Sequence, residues 1–129
     1  MDGAAQGRVR GLLRLEALAL FVAAIALYAK FGDGWKLFAW LILVPDLSML
    51  FYVFGPRAGA IAYNTMHSTL GPILAAAAGY LGGPPVLIPV ALIWAAHVGI
   101  DRALGFGLKY PTAFGDTHLG RFGRRLAAA

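Results

Sequence analysis

The stretch LLRLEALALFVAAIALYA, Leu12–Ala29, sets the first limit on the fold. From Ala17 to Tyr28 it has no polar face. A helix that is apolar all round must lie in a large core or in lipid. Three further apolar runs follow: WKLFAWLILVPDLSMLFYVF at about Trp35–Phe54, a run at about Ala58–Tyr80 that turns polar at YNTMHST, and VLIPVALIWAAHVGIDRAL at about Val86–Leu104. Crossing a bilayer takes about 20 helical residues, and a chain of 129 residues has no core large enough to hide four such helices. The breaks carry turn chemistry: KFGDG at Lys30–Gly34, GPR at Gly55–Arg57 and LGGPP at Leu81–Pro85. Connections this short place successive helices antiparallel. The expected fold is therefore all-α: one polytopic transmembrane domain over residues 1–129, with helices at about 12–29, 35–54, 58–80 and 86–104. The glycine-rich remainder, 105–129, is expected to form a C-terminal cytoplasmic loop or tail.

Composition agrees. Hydrophobic residues make up 60% of the chain and charged ones 13%, with mean hydropathy +0.71. These values belong to membrane proteins rather than soluble domains. The absence of cysteine excludes disulfides, thiolate metal sites and cysteine nucleophiles. No cleavable leader is expected, because the first apolar run lacks a small-residue cleavage site. With four spans, Arg8, Arg10, Arg14, Arg57, Arg102, Lys109, Arg121, Arg124 and Arg125 fall on one side and only Lys30 and Lys36 on the other. That bias puts both termini in the cytoplasm, where Arg121–Arg125 can meet anionic headgroups. No nucleic-acid partner is expected. GFGLKYPTAFG lacks the strand–loop–helix setting of a phosphate-binding loop, and Ser48 and Ser68 have no nucleophile elbow.

Ionisable residues inside a span are costly and mark function by default. They are Arg14 and Glu16 in the first helix, Asp46 in the second, His67 in the third, and His97, Asp101 and Arg102 in the fourth. At about 1.5 Å per residue, His67 lies about 15 Å from the cytoplasmic end of its helix, Asp46 about 12 Å, His97 about 10 Å and Asp101 about 5 Å. Their depths are thus similar, all in the cytoplasmic half. His97 and Asp101 are four apart and share a face, and Asn64 and Ser68 form a similar pair. Pro45, just before Asp46, removes a helical hydrogen bond and should free a carbonyl at that level.

Three chemistries fit. Imidazoles with carboxylates suit zinc, iron or manganese, with His67, His97, Asp46, Asp101 and His118 as candidate ligands. In that reading Asp101 or Asp116 is the base for hydrolysis of an amphiphilic substrate, and Arg102, Lys109, Asn64 and Ser68 bind the substrate. A b-type haem between His67 and His97 is the second. The third is structural: polar groups that fix helix register in an accessory subunit of a larger membrane complex or a homo-oligomer.

The segments PDLSML (Pro45–Leu50), GPRAGAIAYNTMHSTLGP (Gly55–Pro72) and WAAHVGIDRALGFGLKYPTAFGDTHLG (Trp94–Gly120) resemble an uncharacterised bacterial family of small four-helix integral-membrane proteins, a domain of unknown function. The resemblance runs from about Leu13 to Gly123 and implies residence in the inner membrane. A looser likeness, the Pro-Asp step followed by a His-Ser step, is similar to membrane-bound metal-dependent hydrolases. It implies Asp46 and His67 as metal ligands. That group's first-helix histidine is missing here, with Glu16 near its place.

Overall fold

The computed structural model describes residues 6–108, 116–117 and 119–121, with backbone alone at 116, 117, 120 and 121. Helix α1 runs Gly7–Phe31 and α2 Trp35–Leu41. A 3₁₀ helix covers Val44–Phe54. Then come α3, Pro56–His67, α4, Leu70–Tyr80, and α5, Leu87–Ala103. Two-residue strands β1 (Asp116–Thr117) and β2 (Gly120–Arg121) pair antiparallel, Asp116 opposite Arg121 and Thr117 opposite Gly120. The described residues are thus essentially all-α.

Two of the expected helices are each in two pieces, and proline is the reason both times. Pro45 has no N–H, and its ring would clash with the carbonyl four residues back. That residue is Leu41, where α2 ends. Beyond it the chain continues with i→i+3 bonding, as in Asp46 N donating to Leu43 O at 3.0 Å. The expected kink is therefore a change of helix type. The run expected over 58–80 breaks at Ser68, which is extended (φ −80°, ψ 152°). Here Pro72 has no N–H to give the Ser68 carbonyl. Ser68 Oγ instead accepts the amide of Leu70 at 3.0 Å and opens α4.

Packing centres on α5, which contacts α1 most extensively and then α4, while the 3₁₀ helix packs on α3. Small residues bring α1 and α5 together. Ala17 and Ala24 are buried on one, Ala96 and Gly99 on the other. A Cβ on Gly99 would stand 2.8 Å from Phe21 N and 3.0 Å from Ala17 O. Close backbone approach of this kind is how helices associate in lipid. Arg14 bonds to Ala103 while Phe21 meets Gly99, the contact order of antiparallel neighbours. At the other end Tyr28, Trp35 and Phe38 form an aromatic cluster, and Tyr28 Oη donates to Gly34 O at 2.5 Å.

Two segments, Gly7–Phe31 and Trp35–Phe54, are long and apolar enough to cross a membrane, and α4 is a shorter apolar helix. Little of either long segment is buried in the chain itself.

Candidate metal centre

Each break in the helices exposes a main-chain group, and the centre is built from those groups. The change to 3₁₀ bonding at Pro45 leaves the Ile42 carbonyl without the Asp46 amide it would hold in an α-helix. His97 Nδ1 donates to that carbonyl. On the other side, His67 is the last residue of α3. Its Nδ1 donates to Tyr63 O at 2.9 Å, and its ring stacks on Tyr63 with centroids 3.7 Å apart and planes 5° from parallel. Trp94 Nε1 donates to Met66 O at 2.6 Å and ties this end of α3 to α5.

A carbonyl oxygen has no proton, so both Nδ1 atoms carry theirs. In the neutral ring the lone pair is then on Nε2. The two Nε2 atoms face each other at 3.0 Å. Asp46 Oδ1 lies 3.1 Å from each. Asp101 Oδ2 lies 3.4 Å from that of His67 and 3.1 Å from that of His97. Potential ligand atoms of all four residues lie within 4.8 Å of one another. His67 and His97 are buried, with side chains 4% and 3% exposed, whereas Asp101 is 19% and Asp46 31% exposed. Two lone pairs and two carboxylate oxygens therefore converge in a nearly enclosed space.

One shared proton cannot satisfy four acceptors, and two clustered carboxylates need positive charge. A divalent cation meets both needs. Ligands at 2.0–2.1 Å around tetrahedral zinc stand about 3.3 Å apart, close to the separations here. The set of two imidazoles and two carboxylates also suits iron or manganese. The Tyr63 and Ile42 carbonyls fix the tautomer and orientation of the two rings.

Two arginines cap helices near this cluster. Arg102 Nη2 donates to His67 O at 3.3 Å, at the C-terminus of α3. Arg14 Nε donates to Ala103 O at 2.9 Å, at the C-terminus of α5. Helix α5 also closes on itself, with Phe106 N to Asp101 O at 2.8 Å and Gly105 N to Arg102 O at 3.0 Å. Gly105 supplies the positive φ, +100°, that this ending requires. Arg10 Nε reaches the carbonyl of buried Leu119.

The structure thus brings together Asp46, His67, His97 and Asp101. Ser68 and Asn64 lie at the α3 end just below, Ser68 Oγ holding the Leu70 amide. Lys109 and His118 lie outside the described residues, and for Asp116 only the backbone is described. A haem between His67 and His97 does not fit. Their Nε2 atoms are in direct contact and the rings meet edge to face, centroids 4.9 Å apart, which leaves no room for a macrocycle. Sequence reasoning missed Tyr63 and Ile42. Tyr63 had a signal, since it stands one helical turn before His67.

The DUF4260 profile, a domain of unknown function, matches residues 10–122. The chain belongs to the DUF4260 family. No curated protein and no solved structure matches it. Membership in DUF4260 agrees with the resemblance carried by the PDLSML, YNTMHST and HVGIDRALGFGLKYP segments, while the looser likeness to metal-dependent hydrolases has no counterpart among these matches.

Proposed function

We propose that this DUF4260 protein is a multi-pass membrane metalloprotein that holds one divalent cation between Asp46, His67, His97 and Asp101. The convergence of two Nε2 lone pairs with two carboxylate oxygens carries the reading, because both Nδ1 protons are committed to carbonyls. The membrane part is supported by the outer surface. Trp40 is 78% exposed, Val53 81% and Leu81 80%, among many other exposed large apolar side chains, a surface suited to lipid. The basic bias supports a proposed orientation with both termini in the cytoplasm and the centre in that half of the inner membrane.

In this proposal the bound cation serves hydrolysis of an amphiphilic substrate by lowering the pKa of a water. A carboxylate that gives one oxygen to the metal keeps the other as a proton acceptor, the part proposed for Asp101. Asp116 and His118 are the proposed contributors from the tail, with Lys109, Asn64 and Ser68 on the substrate side. One observation favours a second reading. Four protein ligands complete a zinc site without a water, the pattern of a structural ion. The centre would then staple the 3₁₀ helix, α3 and α5 of an accessory subunit in a larger complex or a homo-oligomer.

Elemental analysis of the full chain purified in a non-ionic detergent tests the proposal. It expects near-stoichiometric zinc, iron or manganese, lost in His97→Ala. Metal-free wild-type protein whose stability ignores chelators would refute it. Exchange of the ion within minutes and hydrolysis of amphiphilic esters or phosphoesters favour the catalytic form over the structural one.

A further inference from the structure

Beside the centre lies a cavity of about 230 Å³, walled by Leu13, Glu16, Ala17, Leu20, Thr69, Arg102 and Leu119. Its α1 wall follows the i, i+3, i+4, i+7 stripe of one helix face, so it is a slot about 10 Å long. Leu13, Ala17, Leu20 and Leu119 make the walls mostly apolar. Arg102 is the basic residue of that lining and Glu16 the acidic one, and Arg10 donates to the carbonyl of Leu119, which also lines the slot. A side chain built on Gly105 would meet Arg10 Nη2 at 3.2 Å and the Arg14 guanidinium carbon at 3.9 Å. Among the described residues none of these three arginines has a carboxylate within ion-pair distance. Each spends one N–H on a main-chain carbonyl, and Arg102 Nε is buried with no acceptor. Guanidinium stays charged at any physiological pH, and a half-buried cluster of like charges needs an anion. Planar forks of this kind match carboxylate and phosphate oxygens.

We infer that the slot binds a single-chain amphiphile with an anionic head, carboxylate or phosphate, the head held by Arg102, Arg14 and Arg10 and the chain lying along Leu13, Ala17 and Leu20. Arg102 follows Asp101 in sequence and donates to His67 O, so the head sits beside the metal centre. That such a molecule is the substrate rests on the metal reading; that it binds does not.

Binding of radiolabelled dodecanoate and of dodecyl phosphate to the full chain in neutral detergent tests this, with dodecanol and inorganic phosphate as controls and metal content measured on the same samples. One anion per chain is expected, whichever head binds more tightly naming the source. Dodecanol and inorganic phosphate should each bind more weakly by tenfold or more, on the order of one charge-assisted hydrogen bond. Arg102→Gln and Arg14→Gln should each weaken the anion by a similar factor. Leu20→Trp, which fills the slot without touching a charge, should remove both long-chain ligands, so a poorly folding Arg102 variant leaves the test intact. Anion binding without metal upholds the slot while the metal reading fails. Metal without saturable anion binding, or dodecanol binding as tightly as dodecanoate, overturns the slot and leaves the metal reading standing.

Discussion

His97 Nδ1 donates to the carbonyl oxygen of Ile42, 55 residues away in the chain. That carbonyl lacks its α-helical partner, because the amide of Asp46 turns to Leu43 instead. Pro45 thus performs two tasks in one step: it swings Asp46 into the cluster and releases the acceptor that orients His97. Buried ring and released carbonyl satisfy each other, as buried polar groups must.

Pro45→Ala restores an N–H for Leu41 O and lets Asp46 N return to Ile42 O. The variant should gain helix and stability while losing its centre. Loss of an outer-shell partner costs about 10–100-fold in metal affinity. Competition titration with a coloured chelator measures the affinity and circular dichroism the helix content. Unchanged affinity would show that the Ile42 contact does not set the ring.

Metal affinity should fall as pH falls. Both imidazoles must have a free Nε2 lone pair to bind, so protons compete with the ion for the same two sites. Where both are protonated, binding displaces two protons and affinity drops by up to about a hundredfold per pH unit. Metal titrations at pH 5.5 and 7.5 check this, and equal affinities at the two values would argue against a two-histidine site.

Gly99→Leu should separate α1 from α5. Even the first carbon of the new side chain would press on Phe21 N and Ala17 O, and both are backbone atoms that cannot swing away. Overpacking of this sort costs about 1–3 kcal/mol or more. Unfolding in a graded mixture of denaturing and mild detergent measures it. Wild-type stability would mean that the helices do not meet at this glycine.

The centre was legible because its members are rare. In a chain 60% hydrophobic, Asp46, His67, His97 and Asp101 stand out, and counting helical rise put them at similar depths in one half of the bundle. The Pro45 break was legible for the same local reason. What escaped was of two kinds. The Ser68 break also rests on a proline, but Pro72 lies inside a run whose hydropathy reads as continuous. The contacts from Arg10 to Leu119 and from Arg14 to Ala103 span 109 and 89 residues. No periodicity encodes them, because a main-chain carbonyl leaves no mark in the sequence. The haem expectation failed on separation alone: similar depth cannot tell two rings in contact from two rings with a plate between them.

Asp101→Asn should change stability in opposite directions with and without metal. In metal-free protein with both imidazoles neutral, the Asp101 carboxylate faces two Nε2 lone pairs and the Asp46 carboxylate. All are acceptors, and their mutual repulsion has no compensation. An amide at 101 removes one negative charge and offers N–H donors to Nε2, a gain on the order of 1 kcal/mol. In metal-loaded protein the same change removes a charged ligand, lowers affinity and forfeits part of the stabilisation that binding confers, about 2.7 kcal/mol at a hundredfold excess over Kd. Thermal unfolding with chelator and with zinc, side by side, shows the two signs. If the histidines were instead protonated partners in ion pairs, the variant would be less stable in both conditions, and the cluster would be a salt-bridge network rather than a metal centre.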